Sequence, residues 1–288
     1  MTNTDQSFDH LDIINAVLGL AYNLESYPNH LFKAGYKLSR IEPIIGVPDS
    51  INPDILFMSE NMGLFAECKS GKFKIGSNLS RYDSIQVRHL IEKGIDIPTE
   101  SLELDVGIFG RDNLMHLNER LSKEGINYPQ VILDGGIEQI HGRPFRDPNL
   151  KELFSKPVEI KSKAPLILKF TDSSPVKRIA PFIFTTLMSR SITGRNKFKV
   201  RNLTEEVMDD IWDNLDKNLQ NTLVEKVRTI LRQCKRKQLK NYLKNSEDVW
   251  SVFITDHWKS RKTFSDDCNR FIHELDQKDL YDFSPANV

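Results

Sequence analysis

Cysteine is scarce in this chain: Cys68, Cys234 and Cys268 are its only three. They are odd in number, widely spaced and without a CxxC pair, which argues against a disulfide framework and against a zinc site and leaves reduced thiols. Long apolar runs are also missing; none approaches the ~20 residues that a membrane helix needs. The opening residues MTNTDQSFDHLD carry neither the basic end nor the apolar stretch of a signal peptide, so a cytoplasmic location with no membrane partner is expected. There is no Walker A or other nucleotide-binding loop, so an energy-dependent step would need a partner protein supplying ATPase or targeting function. Repeats, low-complexity tracts and a nameable helix-turn-helix signature are absent. Excess charge of either sign is absent too: 40 basic residues balance 40 acidic ones. DNA-binding proteins are usually basic as a whole, so a nucleic-acid partner is compatible with this sequence only if charge is segregated locally.

What the 288 residues do contain is enough for one good core and two domains. The stretch richest in chemistry runs from Gly46 to Gly71. Pro53-Asp54 enters a short apolar run, Ile55 to Met58, and a second run, Gly63 to Lys69, follows a polar turn. The two read as strands of an antiparallel hairpin bending near Asn61 to Gly63. Alternation puts Phe65, Glu67 and Lys69 on one face and Leu64, Ala66 and Cys68 on the other. A carboxylate and an ammonium on an apolar strand are costly to desolvate unless paired or ligand-bound. With Asp54 from the neighbouring strand, the set offers two hard oxygen ligands beside a lysine, which suits Mg²⁺.

At these residues the chain resembles the PD-(D/E)XK nuclease superfamily, the restriction-endonuclease-like fold. Pro53-Asp54 matches the PD element and Glu67-Cys68-Lys69 the (D/E)XK element; Pro48-Asp49 competes for the role of Asp54 but leads into a turn rather than a strand. The resemblance covers about residues 8 to 135 at the fold level and only the hairpin at the motif level. It implies Asp54 and Glu67 as ligands of Mg²⁺, with Mn²⁺ able to substitute, the backbone carbonyl of Cys68 as a third ligand, and Lys69 serving the attacking water. It also implies an acid from the first helix, for which Glu25 is the candidate and Asp9 and Asp12 are poorer ones. Gln86 sits where some branches carry an active-site glutamine. The implied fold is α/β, a three-layer α-β-α sandwich with a mixed sheet, followed here by a mainly helical C-terminal domain.

Along the chain, apolar spacing predicts a helix over residues 8 to 25, disturbed by Pro28, then a short turn to Ala34 stopped by Gly35. Tyr36 to Val47 reads as a first strand. Lys72 and Lys74 are either phosphate contacts or surface lysines. Ser80 to Lys93 reads as one helix with Ile85, Leu90 and Ile91 inward. Leu104 to Gly110, Asn113 to Glu124 and Pro129 to Leu133 read as a strand, helix and strand whose strands lie parallel. Asp134-Gly135-Gly136 then turns the chain out of the sheet. The expected domains are 1–140, a connecting region 141–181 whose one strand is Pro165 to Phe170, and a helical domain 182–288.

In the last of these, a helix capped by Asn202 or Thr204 runs with Val207, Ile211, Leu215 and Leu219 inward, its outer side acidic. The next segment reverses the sign: eight cations and no acid lie between Lys226 and Lys244. That run is either a solvated face or a phosphate-binding surface. The histidines show no metal-ligand spacing and read as ordinary surface or core residues. Two functions follow. One is a Mg²⁺-dependent nuclease hydrolysing DNA, with double-stranded DNA as substrate, in a bacterial defence, restriction or transposition system, with a homodimer expected because cutting both strands usually requires two active sites. The other is a catalytically silent nuclease-fold scaffold acting through its C-terminal domain.

Overall fold

The computed structural model describes residues 10–46, 50–70, 79–111, 114–255 and 257–282. Pro48-Asp49, Lys72, Lys74 and Asp9 lie outside the described residues. The chain divides into two compact units: everything up to Leu168 together with Asp213–Asp216, and Lys169–Trp212 together with the chain from Lys217 onward.

The first unit opens with α1 (His10–Gly19), which buries Leu11, Ile14, Val17 and Leu18. It ends at Gly19 rather than near residue 25. A side chain at Gly19 would meet the rings of Pro165 and Tyr27 within 3 Å, so the close approach of these segments requires a glycine there. Then follow α2 (His30–Lys33), β1 (Lys37–Ile41), β2 (Ile55–Met58) and β3 (Met62–Lys69). A 3-10 turn (Leu79–Ser84) and α3 (Val87–Glu92) lead to β4 (Glu103–Gly110), α4 (Leu114–Lys123) and β5 (Gln130–Leu133). β6 (Gly136–His141), α5 (Pro148–Leu153) and β7 (Val158–Glu159) complete the unit's regular structure.

The seven strands lie in sequence order in one mixed sheet. β3–β4 and β4–β5 are parallel, each joined by a helical crossover; the other pairs are antiparallel. Phe65, Val106 and Ile108 pack with Leu79, Tyr82, Leu90, Leu117 and Leu121 of the crossovers. On the alternate face of β4, Phe109 meets Phe154, which stacks with His30 and packs at a tilt against Phe145. Burying one such aromatic stabilises by roughly 1.5–3 kcal/mol. The unit is thus α/β, with the hairpin β2–β3 and the parallel crossover as its sequence predicts.

Four expectations change. Ser80 to Lys93 is two elements, because Gln86 has extended backbone at the N-cap of α3, where its backbone N–H donates to His89 Nδ1. The 3-10 turn has a different period, so the phase resets and Ile91, expected inward, is 50% exposed. Asp134-Gly135-Gly136 does not leave the sheet; with Gly135 at φ +68 it is a tight turn into β6, which pairs back on β5. The stretch 141–181 is no free connector, since α5 and β7 belong to the sheet unit. Pro165 to Phe170 forms no strand: Asn15 takes the place of a ladder partner, accepting from Ile167 N and Leu168 N and donating to Leu168 O at 3.0, 2.7 and 2.9 Å.

The second unit contains α6 (Val176–Ile192), β8 (Lys197–Lys199), α7 (Val200–Met208), α8 (Lys217–Arg236), β9 (Leu243–Ser246), β10 (Val249–Val252) and α9 (Trp258–Asp282). The expected single helix through Val207 to Leu219 is broken at Asp209, whose φ of +56 no helix tolerates. Thr204 lies inside α7 and bonds back to Val200 O rather than capping. A three-stranded antiparallel sheet in the order β8-β10-β9 joins the helices. Trp250 and Val252 are buried from β10.

Candidate active site

Asp54 stands one residue before β2, and the register Ile55↔Ala66 sets it opposite Glu67 on β3. Its Oδ2 accepts from the backbone N of Cys68 at 2.5 Å, fixing the carboxylate against β3. Glu67 and Lys69 project from the same face, and Lys69 Nζ donates to Glu67 Oε1. Asp54, Glu67 and Lys69 are therefore brought together at the carboxyl end of β3, where β3 runs parallel to β4. In open α/β sheets that end is where ligands bind.

Two residues complete the surroundings. His10, from the first turn of α1, places Nε2 at 3.0 Å from Asp54 Oδ1. Burial alone would lower its pKa, but the bond to Asp54 and that carboxylate's charge outweigh it, and the pKa is raised. Tyr82 donates its hydroxyl to Glu67 Oε2 at 2.7 Å. Burial pushes the phenol pKa well up, assisted by the Glu67 charge, so Tyr82 keeps its proton and remains a donor.

Glu67 itself is half-buried. Desolvation, then the Asp54 charge, raise its pKa, against the opposing pull of Lys69 and Tyr82. Two half-buried carboxylates this close repel one another even with Lys69 on one of them, and each oxygen retains a lone pair beyond its present hydrogen bond. That chemistry fits Mg²⁺, with the Asp54 and Glu67 carboxylates as hard ligands. The Cys68 thiol is buried and its pKa is raised well above normal by desolvation, so it stays protonated. Only the backbone carbonyl of Cys68 matches the ligand role expected of that residue. Among the described residues no group of three or more His, Cys, Asp and Glu side chains is arranged to hold a metal.

Glu25 is not brought to this set. It is exposed in a turn beyond Gly19, whereas the opposite end of α1 carries His10 and meets Asp54. At 1.5 Å per residue the two ends of α1 lie about 13 Å apart. Of the alternatives, Asp12 sits half-buried in the first turn of α1. Gln86 is exposed at the cap of α3. His10 and Tyr82 escaped sequence reasoning because their partners lie 44 and 15 positions away. The one signal for Tyr82 was its place on the crossover behind the motif strand.

Residues 9–170 match the MJECL32 domain family, and this stretch is more than half of the chain. The chain belongs to that family. No curated protein and no solved structure matches it.

Proposed function

We propose that this member of the MJECL32 domain family is a Mg²⁺-dependent nuclease that hydrolyses DNA phosphodiester bonds, with a restriction-endonuclease-like, three-layer first unit. The observation that carries the reading is the convergence of Asp54, Glu67 and Lys69 on one end of β3. The order of helix, three antiparallel strands, crossover and parallel strand supports the fold assignment.

Asp54 and Glu67, with the Cys68 carbonyl, would hold the cation, which supplies positive charge against the charge that builds on the scissile phosphate. Lys69, poised on Glu67, orients the attacking water and helps take charge from it. The water oxygen forms the new bond to phosphorus as the ester P–O bond breaks; the water's proton is lost to solvent, and the leaving sugar oxygen keeps the bonding pair and takes a proton from solvent. Tyr82 and the Cys68 N–H hold the two carboxylates in place for this step. His10 holds the other oxygen of Asp54, its Nε2 at 3.0 Å from Oδ1.

A second reading, a nuclease-fold scaffold without turnover, draws on there being a pair rather than a trio of acidic side chains at the site among the described residues. Cleavage of supercoiled and linear plasmid in Mg²⁺, Mn²⁺ or EDTA separates the two. Metal-dependent cutting abolished by both Glu67→Ala and Lys69→Ala is the expected outcome. Cutting that survives Glu67→Ala sinks the site, and no cutting by the wild-type chain favours the scaffold.

A further inference from the structure

The second unit has an order that its sequence hides: α6, β8, α7, α8, then the hairpin β9–β10, with the strands arranged β8-β10-β9. Helix, strand, helix, helix, strand, strand with the last strand central is the winged form of the helix-turn-helix. In helix-turn-helix proteins the second helix of the pair enters the major groove of DNA. Here that helix is α8, which packs on α7 and α6 through Leu219, Leu223, Val227 and Leu231.

The opposite side of α8 is polar in a graded way. Its first half exposes Asn221 and Thr222, side chains able to bond base edges; its second half exposes Arg232, Gln233 and Arg236. Two cations of the basic run are answered by acids, Arg228 by Glu225 and Lys237 by Glu274. Arg232, Arg236, Lys240 and Lys244 remain exposed on α8 and the segment after it. Lys235 bonds Asn245 of β9, so the hairpin lies alongside the basic end of α8. The hairpin tip is the two-residue Glu247-Asp248 turn, short and acidic, which leaves α8 rather than the wing as the reading element.

We propose that α8 is a recognition helix for double-stranded DNA, with Arg232 and Arg236 on backbone phosphates and the Asn221–Thr222 end toward the bases. This site stands apart from the metal-dependent chemistry of the first unit and does not rest on it.

The test is fluorescence anisotropy of the full chain in EDTA, where no cutting is required, on a labelled 25-base-pair DNA duplex, the same single strand and an RNA duplex. Wild type is compared with Arg232→Glu/Arg236→Glu and with a control of equal charge change, Lys151→Glu/Lys156→Glu, on exposed positions of the first unit. Thermal melts confirm that each is folded. The α8 pair should lose DNA-duplex affinity at least ~10-fold and flatten the slope of log K against log salt by about 2, the control leaving both within error. Equal loss in the control, unchanged binding in the α8 pair, no duplex binding by wild type at low salt, or preference for the single strand or RNA would each overturn the proposal. Because cutting and binding are read separately, failure of either leaves the other standing.

Discussion

The hydroxyl of Tyr82 reaches Glu67 Oε2 at 2.7 Å while its ring lies 5.6 Å from that of Phe65, two residues earlier on the same strand face. The crossover after β3 thus folds back to hold the acid that β3 presents. Tyr82→Phe keeps the ring contact and removes the hydrogen bond. Partners of this kind are worth 10–100-fold in metal affinity or activity, so Mg²⁺ affinity and cutting rate should each fall by about that much. Isothermal titration and plasmid cleavage measure them, and a melting point close to wild type would exclude unfolding as the cause.

Asp54 and Glu67 repel one another without a cation, and a ligand that binds only the folded state stabilises by RT ln(1 + [L]/Kd). At 100-fold excess over Kd this is about 2.7 kcal/mol. Wild type should therefore melt several degrees higher in Mg²⁺ than in EDTA. Asp54→Asn should abolish that difference while melting in EDTA no lower than wild type by more than a few degrees.

Gly142 has φ +79, and a Cβ there would stand 1.9 Å from the carbonyl oxygen of Tyr128. Left-handed backbone costs a side chain about 1–2 kcal/mol, and the collision with backbone adds to it. Gly142→Ala should lower stability by at least ~2 kcal/mol in urea unfolding. Gly125→Ala, equally left-handed but in open space, should cost less.

His30 is buried, its ring centroid 4.9 Å from that of Phe154. Burial, then the Lys33 charge, lower its pKa below the ordinary 6.5. The unfolded chain therefore binds the proton more readily than the folded one. The neutral ring's contribution is whole above about pH 6.5 and is lost as pH falls through the lowered folded value. His30→Phe removes this titration while keeping a stacked ring. Its urea midpoint should fall less between pH 7.5 and 5 than that of wild type; an equal fall would show that other groups carry the acid sensitivity.

Asn15 replaces a whole strand partner for Ile167 and Leu168. Asn15→Ala leaves three backbone groups without it, at roughly 1 kcal/mol or more for each bond lost. A loss of about 2–4 kcal/mol is expected, with protease cleavage appearing first near residues 165–168.

The hairpin and its acids were legible because β2 and β3 are apolar, short and punctuated, and because period-two alternation fixes which side chains share a face. The parallel crossover was legible for the same reason. β6, Gly-Ile-Glu-Gln-Ile-His, was not: half its residues are polar, and the Gly135-Gly136 that admits a tight turn looked like an exit. Pro165 to Phe170 had strand composition but found its partner in an asparagine side chain, which no local pattern announces. Glu25 was chosen on the assumption of one long helix, and the close packing at Gly19 stops that helix early. In the second unit, strands of three and four residues are too short to show alternation, so β8, β9 and β10 vanished among helices. His10 and Tyr82 act only through folding.

The short return of Asp213–Asp216 to the first unit has a consequence in time. Leu215 bridges Ile41, Asp216 N bonds Ile41 O, and Asn214 donates to the carbonyls of Leu38 and Ser39, covering the outer edge of β1. Leu38 and Asn214 are 176 positions apart. At a synthesis rate of ~5–20 residues per second, a nascent chain waits roughly 10–35 s between making that edge and making its cover. During that interval the rest of the sheet is made, and once β7 is complete the first strand still offers its outer hydrogen bonds to any passing chain until Asp213–Asp216 arrive.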